Sequence, residues 1–198
     1  MPLLTAEPSV FPPNLLESEE PPAPSDAPDF RWWALHTRPR TEKELARRLL
    51  NRSVSFFLPL RHKEWLTRGR RFSSHLPLFP GYLFLYGGER DRVTALETNL
   101  IVNCLSAADQ SQLHDDLHRV YRLVSSDVPL TLEEKLGPGD PVVITQGRFT
   151  GLQGRVLRRW KNLKFTVEIH FLQQGVSIEV EPWMIEPLEE GASHKTRN

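Results

Sequence analysis

Cysteine is all but absent. A single thiol, Cys104, stands among 198 residues, which excludes an intramolecular disulfide framework and any zinc site built from several thiolates, and suits a reducing compartment. Long hydrophobic runs are missing as well: no stretch approaches the ~18 apolar residues of a membrane span. The first residues lack the basic start and apolar core of a secretory signal, so the expected location is the cytoplasm. There is no Gly-rich phosphate loop with its Lys-Ser or Lys-Thr, no dinucleotide fingerprint and no His-Glu-x-x-His. The histidines are scattered; His114 and His118 lie four apart with Asp115 nearby, but no third ligand is evident, and they read as a solvated helix face. Cys104, inside an apolar strand, reads as packing. No nucleophile, base and orienter can be assembled. Neither an enzyme nor a metal or organic cofactor is expected.

The net charge of zero averages over unlike parts. Residues 1–29 contain no Lys or Arg, six acids and eight prolines, a composition that predicts a disordered acidic tail. Residues 31–71 reverse the sign, with twelve Lys or Arg against three acids. A side that faces a polyanion is expected there. Residues 72–131 and 132–190 are each mildly acidic, with four bases against seven acids and seven against nine.

Periodicity predicts two folding units. The run Arg31 to Thr37, stopped by Arg38-Pro39, fits a buried strand. Thr41 and Glu44 have capping-box spacing, and Leu45, Leu49 and Leu50 recur at helical intervals, leaving Arg47, Arg48, Asn51 and Arg52 on the opposite face. Further strands are predicted at 56–60, 63–67 and 81–86, with Arg68, Gly69, Arg70 and Arg71 as a hairpin tip. A short helix over 89–98 with Val93 and Leu96 inward, a strand over 101–105 and a longer helix from Asp109 through Val124 complete the first unit. After a linker the helical period disappears. Strands at 141–145, 153–158, 165–171 and 176–180, separated by Gly, Asn and Gln turns, are too few for a sandwich and suit a small barrel. The expected organisation is a disordered tail (1–29), an α/β sandwich domain (30–127), a linker (128–137), a small SH3-like β-barrel (138–189) and a flexible C-terminus (190–198).

Binding is the function class that the residues favour. In a strand Tyr82 and Phe84 share one side while Leu83 and Leu85 fill the other. If two helices cover the leucine side, the aromatic side is open, as at a protein-binding site. The alternative is that these rings belong to the core.

Three motifs carry a resemblance. Trp32-Trp33-Ala34-Leu35, the Phe79-Pro80-Gly81-Tyr82 turn, and Gly139-Asp140-Pro141-Val142-Val143-Ile144 leading through Gly147, Phe149, Gly151, Gly154 and Val156 occur in the order seen in the NusG family of transcription elongation factors. The first two are similar to its N-terminal (NGN) domain and the third to its KOW motif, over about residues 30–188. Leu78-Phe79-Pro80 before Tyr82-Leu83-Phe84, and Ile144 to Gly147, look closer to the specialised RfaH-type paralogues.

The resemblance implies a monomeric, non-enzymatic elongation or antitermination factor whose NGN domain docks on the clamp helices of the largest RNA polymerase subunit and bridges the cleft. The implied contacts are Tyr82 and Phe84, with Phe79 and Trp32 supporting or bordering the patch. The resemblance also implies contact with the non-template DNA strand through Arg48, Asn51 and Arg52 on the first helix, beside Arg47, with the basic tip Arg68, Arg70 and Arg71 close to DNA or polymerase. The KOW domain would recruit a ribosomal protein or Rho, with Phe149, Leu152 and Trp160 as contacts; the alternative for Phe149 and Leu152 is that they belong to the core. Its alternating Thr166, Val167, Ile169, Val176, Ile178 and Val180 favour strand over the helical hairpin that RfaH-type domains also form. Two other readings stay open: a ribosome-associated or RNA-binding KOW protein using Arg155, Arg158 and Arg159, and a general factor that assists Rho-dependent termination.

Overall fold

The computed structural model describes residues 8–18, 29–126, 128–133, 139–159 and 162–188. In chain order its elements are β1 (Val10–Phe11), β2 (Arg31–Thr37), α1 (Glu42–Asn51), β3 (Ser55–Phe57), β4 (Leu60–Thr67), β5 (Arg70–Pro77), β6 (Tyr82–Gly87), α2 (Glu89–Leu96), β7 (Ile101–Ser106), α3 (Gln110–Val124), β8 (Thr131–Glu133), β9 (Asp140–Ile144), β10 (Gln153–Arg159), β11 (Asn162–Ile169), β12 (Gln174–Val180) and β13 (Ile185–Pro187). This is a mixed α/β fold with three α-helices among the described residues.

The first sheet is antiparallel, in the order β1-β3-β6-β2-β7. Because side chains alternate along a strand, β6 turns Leu83 and Leu85 to one face and Tyr82, Phe84 and Tyr86 to the other. The leucine face is covered by Leu45, Ala46 and Leu49 of α1 and Ala95 of α2. The aromatic face, with Trp32 and Phe57, is covered by Leu113, Leu117 and Val120 of α3 and by Leu15 and Leu16. Helices therefore lie on both sides of the sheet. The expectation that one aromatic side stands open is overturned for this reason.

The tail is also corrected in part. Val10 and Phe11 pair with Phe57 and Phe56, and Leu15 and Leu16 are fully buried. Those apolar residues repay ordering even among prolines and acids. Residues 1–7 and 19–28 of the predicted tail lie outside the described residues, as do 190–198.

Local chemistry departs from the sequence reading in two more places. The hydroxyl of Thr41 donates to the Arg38 carbonyl at 2.8 Å, and Glu44 pairs with Arg48, so no capping box forms at α1. On α2 it is Ala95 that is buried, while Val93 and Leu96 face solvent.

The second sheet is antiparallel with six strands in the order β13-β9-β10-β11-β12-β8. Among the described residues no pairing joins β13 to β8, and no closed barrel is formed by this sheet. Thr131–Glu133, within the expected linker, pairs with β12 as an edge strand, with Leu132 opposite Val176. The segments 162–169 and 174–180 are strands. Gly154 fits the close β10–β11 crossing: an added Cβ would stand 2.5 Å from the Thr166 carbonyl oxygen and 2.7 Å from the Phe165 ring.

Helix α3 is shared. Its outer side meets the second sheet, where Asp116 binds His170, and one apolar cluster runs from Trp32 and Phe84 through Leu117 to Phe165 and Val167. Arg122 donates to the Thr150 carbonyl at 3.0 Å, and Arg148 to that of Ser126 at 2.5 Å.

Candidate functional site

Of the four rings expected to meet a partner, Trp32, Phe79 and Phe84 are buried and Tyr82 alone reaches the surface. Phe79 meets Phe84 edge-on at 6.4 Å, and Trp32 lies against Tyr86 at 5.1 Å. These three are packed floor. Tyr82 sits at the end of the aromatic face, stacked on His36 of β2 with centroids 5.2 Å apart. The preceding turn is held from the other side of the chain: Glu42, buried at the start of α1, accepts the Gly81 N–H at 2.8 Å. Gly81 has φ +83°, a conformation that glycine adopts without strain.

The basic face of α1 is present, and Arg48 and Arg52 on it bind backbone carbonyls of the same domain. Arg48 donates to the Thr98 carbonyl at 3.0 Å and pairs with Glu44; Arg52 donates to the Thr94 carbonyl at 2.8 Å. Both therefore satisfy carbonyls at and just beyond the C-terminal end of α2, where cations are favoured. Arg47 and Asn51 are exposed on the same face. The other basic group, Arg68, Arg70 and Arg71, is exposed at the tip of the β4–β5 hairpin, about a two-residue loop in which Arg68 (φ +50°) and Gly69 (φ +74°) both take positive φ.

His114 and His118 do not face solvent as a pair. His114 accepts from the Trp32 indole N–H through Nδ1 at 3.2 Å, which leaves Nε2 to donate to the Ser18 carbonyl at 3.2 Å. His118 Nδ1 lies 2.9 Å from the Leu16 carbonyl. Both imidazoles thus fasten the N-terminal segment to α3. Nothing in the sequence pairs these distant residues. Among the described residues no group of three or more His, Cys, Asp or Glu is placed to hold a metal, and no helix is long and apolar enough to cross a membrane.

Between β9 and β10 Phe149 and Leu152 are buried and fill the core beside Ile144, the core alternative of their two readings. Trp160 lies outside the described residues, as do the side chains of Arg158 and Arg159. Arg155 donates to the Gly139 carbonyl at 2.9 Å. Among the described residues of this part of the chain the exposed hydrophobic ring is Trp183, at 61% exposure, a position that the sequence pattern did not single out.

Residues 30–135, just over half of the chain, match the family described as "Transcription termination factor nusG". The chain belongs to the NusG family. The matched span takes in the whole first sheet from β2 onward, α3 and β8. Among solved structures, one titled "Domain interaction in Thermotoga maritima NusG" is similar at 17% identity with a TM-score of 0.48, covering 81% of this chain and 98% of that one. Another, titled "Crystal Structure of MjSpt4:Spt5 complex conformation B", is similar at 15% identity and a TM-score of 0.27, covering 79% and 96%. A search of curated proteins found no match. A closer relation to RfaH-type members of the NusG family rests on the sequence motifs alone.

Proposed function

We propose that this NusG-family chain is a non-enzymatic transcription elongation or antitermination factor whose first domain docks on the clamp helices of RNA polymerase, bridges the cleft and suppresses pausing or termination. The observation that carries the reading is Tyr82: within the matched span it is the one expected contact ring left at the surface, backed by His36 and by a turn that Glu42 immobilises. A rigid, half-exposed aromatic over a packed floor is the kind of anchor that contributes most to a protein interface. Trp32, Phe79 and Phe84 serve as that floor. Arg47 and the hairpin arginines give the same domain an exposed cationic side for the nucleic acid in the elongation complex, with the neutral amide of Asn51 beside Arg47. The second sheet is read as a KOW-type barrel that recruits a ribosomal protein or Rho, with Trp183 offering the partner-facing ring that Phe149 and Leu152 do not.

Run-off transcription with core polymerase tests this function. Added protein raises the yield of full-length product on a pause-rich template. A second reading, assistance to Rho-dependent termination, is favoured by the termination role in the family's description. It predicts a fall in full-length product that appears only when Rho is present.

A further inference from the structure

Among the described residues the β4–β5 hairpin forms a two-stranded sheet of its own and pairs with no other strand. Residues directly opposite in an antiparallel pair share a face, so its register sorts its side chains. Trp65 pairs with Phe72, Lys63 with Ser74, Thr67 with Arg70 and Arg61 with Leu76. That face therefore carries two aromatic rings and three cations, Arg61, Lys63 and Arg70, and no acid. The hairpin's single acid, Glu64, pairs with Ser73 on the opposite face. Trp65 and Phe72 are 41% and 44% exposed, and their planes lie within 18° of each other with centroids 5.9 Å apart. Trp33 makes a contrast: the guanidinium groups of Arg31 and Arg92 lie over its ring at 5.5 Å each, so it is already occupied. Among the described residues no guanidinium covers Trp65 or Phe72.

We infer that the Trp65–Phe72 face of the hairpin is a stacking site for an unpaired base of a single-stranded nucleic acid, with Lys63 and Arg70 meeting the flanking phosphates. Every base has a π-face, and a cationic track beside exposed rings is how proteins hold single strands without reading sequence. Lys63 and Arg70 each lie two residues along the strand from a ring, about 7 Å at a strand's rise per residue. They bracket the aromatic pair. The inference refines the nucleic-acid part of the proposed function and does not depend on polymerase docking.

The test is fluorescence anisotropy of labelled oligo(dT) and oligo(U) against the full chain and the variants Trp65→Ala, Trp65→Phe, Trp65→Leu, Phe72→Ala and Arg70→Ala. Trp65→Ala and Phe72→Ala weaken binding about tenfold or more, the loss expected for one stacked base. Trp65→Phe keeps most of the affinity, whereas Trp65→Leu, which keeps an apolar cross-strand contact with Phe72 but offers no π-face, loses it, so the loss is of stacking and not of the hairpin. Arg70→Ala weakens binding at low salt and lowers the slope of log K against log salt by about 0.7. A preference for oligo(dT) or for oligo(U) identifies the strand type, and either supports the inference if Trp65→Ala abolishes it. Wild-type affinity in Trp65→Ala, or equal binding of duplex DNA, overturns it. So does a Trp65→Ala chain that binds oligonucleotide normally and loses core polymerase, which would make the hairpin a protein contact. A wild-type chain that binds oligonucleotide but not polymerase sinks the proposed function and leaves this inference standing.

Discussion

The carboxylate of Asp116, fully buried on α3, accepts the backbone N–H of His170 at 2.9 Å and faces its Nδ1 at 3.1 Å. Gln112 and Arg119 also donate to it. One side chain thus ties the helix that covers the first sheet to the turn between β11 and β12 of the second. Asp116→Ala leaves several donors without an acceptor and is expected to cost about 2 kcal/mol, read as a lower urea midpoint. His170→Ala keeps the backbone bond and should cost less.

Leu16 is fully buried against the aromatic face, and its carbonyl faces His118. Leu16→Ala is expected to destabilise the fold by about 3 kcal/mol, the size of a core leucine truncation, in chemical denaturation. A solvated leader would give no change.

Gly154→Ala drives a methyl against the Thr166 carbonyl, which is backbone and cannot swing away. A loss of about 1–3 kcal/mol is expected from this overpacking, measured by thermal or urea unfolding.

Burial pushes the Cys104 thiol up, with Arg92 nearby opposing the shift in part. The folded chain therefore holds this proton more tightly than the unfolded chain does. The associated stability is present below the thiol's ordinary value and is lost as pH rises through the raised one. Tyr86, also raised by burial, has the same sign at higher pH. Iodoacetamide at neutral pH should modify native Cys104 more slowly than a free cysteine, and denaturant should restore the ordinary rate.

Much of the first domain was legible because its elements are long and periodic. The strand Arg31–Thr37 and helix α3, begun by Asp109 accepting the Gln112 N–H, stand where the pattern puts them. What a pattern does not encode is the side of the sheet on which a helix lands. Leu113, Leu117 and Val120 announce an apolar face on α3, but only the fold sends that face to Trp32 and Phe84. That is why an exposed aromatic side was expected and a covered one is found. The same limit hid the N-terminal segment, whose four apolar residues are outvoted in composition by proline and acid. The strands Thr131–Glu133 and Ile185–Pro187 are too short to show a period. Arg48 and Arg52 have the charge of a nucleic-acid face, yet the carbonyls they satisfy lie more than forty residues away.

Tyr82 is the surviving surface ring, so its truncation tests the account most directly. Binding of Tyr82→Ala to core RNA polymerase should be weaker than wild type by about tenfold or more, a hot-spot loss, measured well below the variant's unfolding midpoint, which falls because the ring packs on His36 and the core. Wild-type affinity in that variant, with the fold intact, would contradict docking through this surface.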